Sequence, residues 1–151
     1  PAEITKNLAS QKARAVASEC KEKGKVLIIG ADTVVAVDGQ ILGKPKDKKE
    51  AKAMMEALSA RSHEVFTGVS LLYVEDGKIK EEKSFAEKTQ VMVAALSEEE
   101  IKAYIDTEEP YDKAGGYGIQ GLFGKHIEGI CGDYNNVVGL PVHRIYQEIK
   151  A

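Results

Sequence analysis

Asp32, Lys12, Lys44 and Gln120 are the side chains of this sequence whose types and settings could do chemistry together. Asp32 interrupts an otherwise apolar stretch, Val26-Leu27-Ile28-Ile29-Gly30-Ala31-Asp32-Thr33-Val34-Val35-Ala36-Val37-Asp38-Gly39. Short runs rich in β-branched residues read as buried strands, so Val26–Ile29 and Thr33–Val37 are predicted strands with Asp32 where a core strand ends or kinks. A carboxylate held there by buried backbone carries a desolvation cost unless a cation, a metal or hydrogen-bond donors meet it. The alternative is a turn aspartate that binds its own backbone. Lys12 lies among Ala9, Ser10 and Ala13. It either snorkels along its helix into water or points along the helix into a site. Pro45 keeps Lys44 out of helical geometry, so Lys44 is offered from an extended segment, as a solvated loop lysine or as a point charge for phosphate.

An acid beside lysines suits a metal-bound polyphosphate: the acid holds a cation or activates water, and the lysines neutralise phosphate oxygens. Gln120 sits in Asp112-Lys113-Ala114-Gly115-Gly116-Tyr117-Gly118-Ile119-Gln120-Gly121, where four glycines in ten residues imply close backbone approach or repeated positive φ. A glutamine amide, donor and acceptor at once, suits the edge of a base. Gly116-x-Gly118-x-x-Gly121 matches the dinucleotide fingerprint in letters only, since it follows no credible strand and opens no amphipathic helix. There is no P-loop and no Gly-x-Ser-x-Gly elbow. Cys20 and Cys131 form no Cys-x-x-Cys pair and His63, His126 and His143 are scattered, which argues against a zinc site or a disulfide framework.

The elements that must position these groups follow from periodicity. Pro1 to Glu22 reads as a helix with Ile4, Leu8, Ala9, Ala13, Ala15 and Val16 as its apolar stripe. Asp38-Gly39 predicts a hairpin returning through Gln40–Leu42. Asp47 to Ala60 reads as a helix opened by an Asp-x-x-Glu cap and buried through Ala51, Met54, Met55 and Leu58. His63 to Val74 is a long strand, turned by Glu75-Asp76-Gly77 into Lys78–Glu82, with a further strand over Ser84–Ala94. Ser97 and Glu100 form a second capping box, for a helix facing inward through Ile101, Tyr104 and Ile105 and ended by Glu108-Glu109-Pro110. After Gly139-Leu140-Pro141 a last helix faces inward through Val142, Ile145, Tyr146 and Ile149. The 151 residues fit one domain, and a hydrophobic content of 43% with 30% charged residues is ordinary for a globular protein. A formal net charge of -3 does not suggest a polyanion-binding surface, which argues against a nucleic-acid polymer as partner. No apolar run approaches membrane-spanning length and no signal peptide is visible, so the expectation is a cytoplasmic protein with no membrane partner.

Four stretches together resemble the Maf family: Ala31-Asp32-Thr33-Val34-Val35, Ile41-Leu42-Gly43-Lys44-Pro45, Asp112 to Gly121, and Gly132-Asp133-Tyr134-Asn135-Asn136-Val137-Val138-Gly139-Leu140-Pro141. The match runs in order from the first helix to the last. Maf proteins are similar to nucleoside triphosphate pyrophosphatases and also carry the name septum formation inhibitors. The resemblance implies one Maf-like domain over residues 1–151, of the α/β class. Its sheet would be mixed, largely antiparallel and twisted, flanked by helices, with two lobes and a central cleft. It implies hydrolysis of a nucleoside triphosphate to the monophosphate and pyrophosphate with a divalent cation, magnesium or manganese, in a housecleaning role and as a homodimer. On the family pattern Asp32 falls on the catalytic acid and candidate metal ligand. Thr33 and Gln120 fall on positions linked to substrate choice, and Lys12 and Lys44 on lysines lining the phosphate site. Ile119-Gln120-Gly121 resembles the branch acting on dTTP and UTP, with modified pyrimidine nucleotides as further candidates; a sister branch, similar to a methylated-GTP hydrolase, carries a different loop there. The family's opening strand and Ser-Pro-Arg-Arg loop have no counterpart in this sequence. The expectation is therefore an N-terminally incomplete chain whose missing strand would pair with the sheet containing Val26–Ile29. The rival reading is a non-catalytic, nucleotide-binding regulator of septum formation.

Overall fold

The structure, a computed structural model, describes residues 1–151. Its centre is a five-stranded sheet ordered β2-β1-β3-β4-β5, with every neighbouring pair antiparallel. The strands are β1 (Lys25–Val37), β2 (Gln40–Leu42), β3 (Ser62–Glu75), β4 (Lys78–Val93) and β5 (Ile127–Cys131). The α-helices are α1 (Ala2–Glu19), α2 (Lys48–Leu58), α3 (Glu98–Ile105), α4 (Tyr134–Val138) and α5 (Val142–Lys150). Short 3-10 turns carry the chain through Glu109–Asp112, Ala114–Gly116 and Leu122–His126.

Two strand breaks expected from sequence are absent. β1 runs unbroken through Gly30-Ala31-Asp32, because each of these residues has a register partner on β3, Asp32 opposite Gly68. Asp32 is thus a mid-strand residue. β4 runs unbroken through Lys83, whose partner is Leu71. The hairpin turns are as expected: Asp38 and Gly39, then Asp76 and Gly77, all take positive φ, the two-residue geometry that matches strand twist. β2 pairs only with Val35, Ala36 and Val37, so no strand pairs with the outer edge of β1 over residues 25–34.

The two faces of the sheet are packed differently. α1 lies on the face that carries Ile28, Leu72 and Val74 and buries Thr5, Ala9, Ala13 and Ala17, spaced four apart. This corrects the expected stripe: its Ala9 and Ala13 are buried, but Ile4, Leu8, Ala15 and Val16 are exposed. The cause is close approach. A Cβ on Gly30 would lie 2.4 Å from the Ala9 carbonyl oxygen, and one on Gly68 would lie 2.2 Å from the Thr5 carbonyl carbon. Backbones this near accept only small side chains between them. On the opposite face α2, α3 and the glycine-rich segment close over Val65, Val91 and Val93 with Met55, Leu58, Tyr104, Tyr117 and Phe123. The Ser97–Glu100 capping box of α3 makes both of its bonds. At α2, Asp47 accepts from the Glu50 amide at 2.8 Å, while the Glu50 carboxylate turns to the Lys46 amide instead. α5 also departs from its expected face: Ile145 is buried, but Val142, Tyr146 and Ile149 are exposed. β5 and α4, unmarked by any periodicity, complete the sheet edge and the wall beneath the site. No helix is long and apolar enough to cross a membrane.

Candidate active site

Side chains alternate along β1, so Asp32 and Thr33 leave the strand on opposite faces. Asp32 emerges under α1, where the Lys12 ammonium donates to its Oδ1 at 2.8 Å and stands 3.3 Å from the Ala31 carbonyl oxygen. Thr33 emerges on the other face, its hydroxyl 2.8 Å from that of Thr67. Around this part of β1 a cleft of about 540 Å³ opens, lined by Lys12, Asp32, Thr33, Lys44, Lys113 and Gln120 among others. The structure therefore brings together all five residues singled out from sequence. The side chain of Asp32 keeps 18% of its surface exposed and that of Lys12 59%, so the pair sits at a wet mouth and not in a dry core.

Each remaining group is held by a local device. Lys44 follows β2 outside any helix or strand, and the Gly115 amide donates to the Gly43 carbonyl at 3.1 Å, clasping the glycine-rich segment to the hairpin. Beneath that segment the Tyr104 hydroxyl donates to the Gly116 carbonyl at 2.7 Å, and Tyr117 hydrogen-bonds His63 inside the core. Burial raises both tyrosine hydroxyls well above their usual range, for Tyr104 with help from the Glu109 carboxylate. Burial, with the Arg61 charge second, pushes His63 down to about 4. These groups therefore stay neutral at pH 7 and act as anchors.

Three contributors went unread in the sequence. Lys113 lines the cleft, its stem packed so near Gly118 that a Cβ there would lie 3.0 Å from its Cε. Its only sequence signal is its place at the head of the glycine-rich run. Glu109, read from sequence only as part of a helix stop, accepts from the Leu122 amide through both carboxylate oxygens at 3.0 Å. It thereby fixes the loop that carries Gln120; a Cβ on Gly121 would fall 2.3 Å from its Oε1. Asn136, fully buried, ties α4 to the sheet: its amide nitrogen shares two protons among the Val65 and Glu87 carbonyl oxygens and the Thr89 hydroxyl, at 3.0–3.2 Å. Such tertiary partners leave no local pattern.

Chemically, the cleft sets three lysines against one carboxylate, an arrangement that attracts a polyanion. No group of three His, Cys, Asp or Glu side chains converges anywhere to cage a metal. Asp32 is the one carboxylate among the lining side chains. That donor set fits a cation such as magnesium, which retains waters and is commonly held by one or two carboxylates together with substrate phosphates.

A family model described as "Maf-like protein" matches residues 1–151. A dTTP/UTP pyrophosphatase of Carboxydothermus hydrogenoformans is 52% identical over 150 residues, covering 99% of this chain and 77% of that protein. The dTTP/UTP pyrophosphatase of Agathobacter rectalis is 49% identical over 160 residues, covering 99% of this chain and 78% of its own. A third, from Bacillus cytotoxicus, is 49% identical over 150 residues, covering 99% and 74%.

Proposed function

The chain belongs to the Maf-like family, and from that premise we propose that its cleft hydrolyses dTTP and UTP to the monophosphate and pyrophosphate. The observation that carries this reading is the Lys12–Asp32 contact of 2.8 Å, placed where Thr33, Lys44 and Gln120 converge from other parts of the chain. That contact fixes where the Asp32 carboxylate points. In the proposed reaction Asp32 orients a water toward the α-phosphorus and takes its proton as the new phosphorus–oxygen bond forms. The bond from the α-phosphorus to the bridging oxygen breaks, and pyrophosphate leaves with that oxygen. Lys12, Lys44 and Lys113 neutralise the charge that grows on the leaving group, each as a mobile point charge. Asp32 would also hold a divalent cation carried by the triphosphate, which would supply further neutralisation of the phosphate oxygens. Gln120, at the exposed tip of its loop, offers donor and acceptor to the base edge.

The test is a product analysis. Incubation with dTTP or UTP and magnesium or manganese releases pyrophosphate, and Asp32→Asn abolishes the release while circular dichroism stays unchanged. Orthophosphate as the sole product contradicts the reaction, and undiminished kcat in Asp32→Asn removes Asp32 from it.

A further inference from the structure

Thr67 lies opposite Thr33 in the β1–β3 register and is wholly buried. Its Oγ1 has two neighbours: the Thr33 hydroxyl at 2.8 Å and the backbone carbonyl oxygen of Asn136 at 3.0 Å. The Asn136 carbonyl is held in place, since the Asn136 amide side chain is anchored to Val65, Glu87 and Thr89. A carbonyl oxygen only accepts, and a threonine hydroxyl has one proton. The Thr67 proton therefore goes to Asn136. The opposite polarity would set two oxygen lone pairs 3.0 Å apart with no proton between them, at a residue from which water is excluded. With its proton committed, the Thr67 oxygen accepts from Thr33. The Thr33 proton is thus directed inward as well, and the part of its hydroxyl that faces the cleft carries lone pairs alone.

We infer that Thr67 is a positioning residue that fixes the Thr33 hydroxyl as a hydrogen-bond acceptor for the imide N–H of thymine and uracil. This rests on the pyrophosphatase reading above and extends it to how the base is chosen. Thymine and uracil carry a donor at N3, whereas cytosine has an acceptor there and meets lone pair with lone pair. A site built to pair one polar group rejects a base that leaves that group unpaired.

Two measurements on the full chain test the inference. The first is kcat/KM for UTP and CTP, which share a sugar. Wild type favours UTP by roughly tenfold or more, the value of about one hydrogen bond. Thr67→Val keeps the branched shape but frees the Thr33 proton to turn outward, so the ratio collapses toward unity; Thr67→Ser, which keeps the hydroxyl, restores it. Equal proportional losses on both nucleotides in Thr67→Val would show a structural role only and overturn the inference. The second measurement needs neither turnover nor a variant: the affinity of wild type for UMP and for N3-methyl-UMP. The methylated nucleotide, lacking the donor, binds about tenfold more weakly or worse. Equal affinities, or no binding of either, overturn the inference. A wild type that binds UMP tenfold better but releases no pyrophosphate from UTP or dTTP overturns the hydrolase reading and leaves the acceptor assignment standing.

Discussion

The two faces of the sheet hold the same strand by opposite means. On one, Ala9 and Ala13 of α1 meet Gly30, and Thr5 and Lys6 meet Gly68, at backbone distance, and few side-chain atoms are involved. On the other, Met55, Leu58, Tyr104, Tyr117 and Phe123 fill volume above Val65, Val91 and Val93. The first arrangement has little slack: a helix resting on backbone has no side chains to repack, so its height above the sheet is fixed. That height lets Lys12 reach Asp32. The second arrangement can relax by repacking, and it supports a glycine-rich segment pinned by separate hydrogen bonds from Tyr104 and Glu109. The cleft lies where the two regimes meet, taking Asp32 from one face and Thr33 from the other.

The sharpest way to break the voluminous face is Phe123→Ala. The ring is fully buried between Tyr104, Tyr117 and His126, at centroid distances of 4.8–5.4 Å. Its removal is expected to cost about 3–5 kcal/mol in urea unfolding, from lost transfer energy and the cavity left behind. A second break on this face is by pH. His63 is 98% buried by its 2% exposure, neutral, and has a folded pKa near 4 against an ordinary 6.5. Between those values the unfolded chain binds the proton and the folded chain does not, so stability falls as pH drops through this window and is fully present above it. The loss by pH 4 is roughly 3 kcal/mol from this group alone. His63→Gln, which does not titrate, should show a shallower decline over the same range; an unchanged slope would assign the effect to other groups.

The close-packed face is broken by one methyl group. Gly68→Ala places a Cβ against the Thr5 and Lys6 backbone, at 2.2–2.4 Å, where no side chain can move aside. We expect a loss of roughly 1–3 kcal/mol and a fall in kcat/KM as α1 and Lys12 are lifted from Asp32. Gly43→Ala is the matched control: a Cβ there meets nothing within 4 Å, and stability should be nearly unchanged. Equal costs at both positions would refute the account of α1 packing.

The same contrast explains what was legible in the sequence. Hairpins and capped helices were read correctly because Asp38-Gly39, Asp76-Gly77 and Ser97-x-x-Glu100 encode their geometry locally. The candidate site residues are marked by short motifs, and all five line one cleft. The face of α1 was misread because apolar size points to Ile4, Leu8 and Val16, whereas the glycines that select small residues lie far along the chain on β1 and β3. The inward face of α5 was overestimated for a related reason: periodicity marks an apolar stripe but not how much sheet remains to cover it. β1 was split at Asp32 because a polar residue resembles a turn until its lysine partner is known. Glu109 and Thr67 act through partners distant in sequence or on a neighbouring strand, so composition carries no mark of them.

The smallest expected change in stability, and the one that best separates the role of α1 in the fold from its role in the site, is Lys12→Met. Methionine keeps the unbranched stem and helix propensity of lysine while removing the charge. Both partners of the Lys12–Asp32 pair keep contact with water, with 59% and 18% of their side chains exposed. Pairs this open contribute about 0–1 kcal/mol, so the urea midpoint should barely move. Binding and turnover respond differently, because the ammonium would meet phosphate oxygens by charge-assisted bonds worth about 1.5–3 kcal/mol, or roughly tenfold to a hundredfold in kcat/KM. A Lys12→Met chain with wild-type kcat/KM would take Lys12 out of the phosphate site. A stability loss as large as that of Gly68→Ala would make the lysine a structural part of the helix contact, and the division of labour between backbone packing and side-chain chemistry on this face would fail.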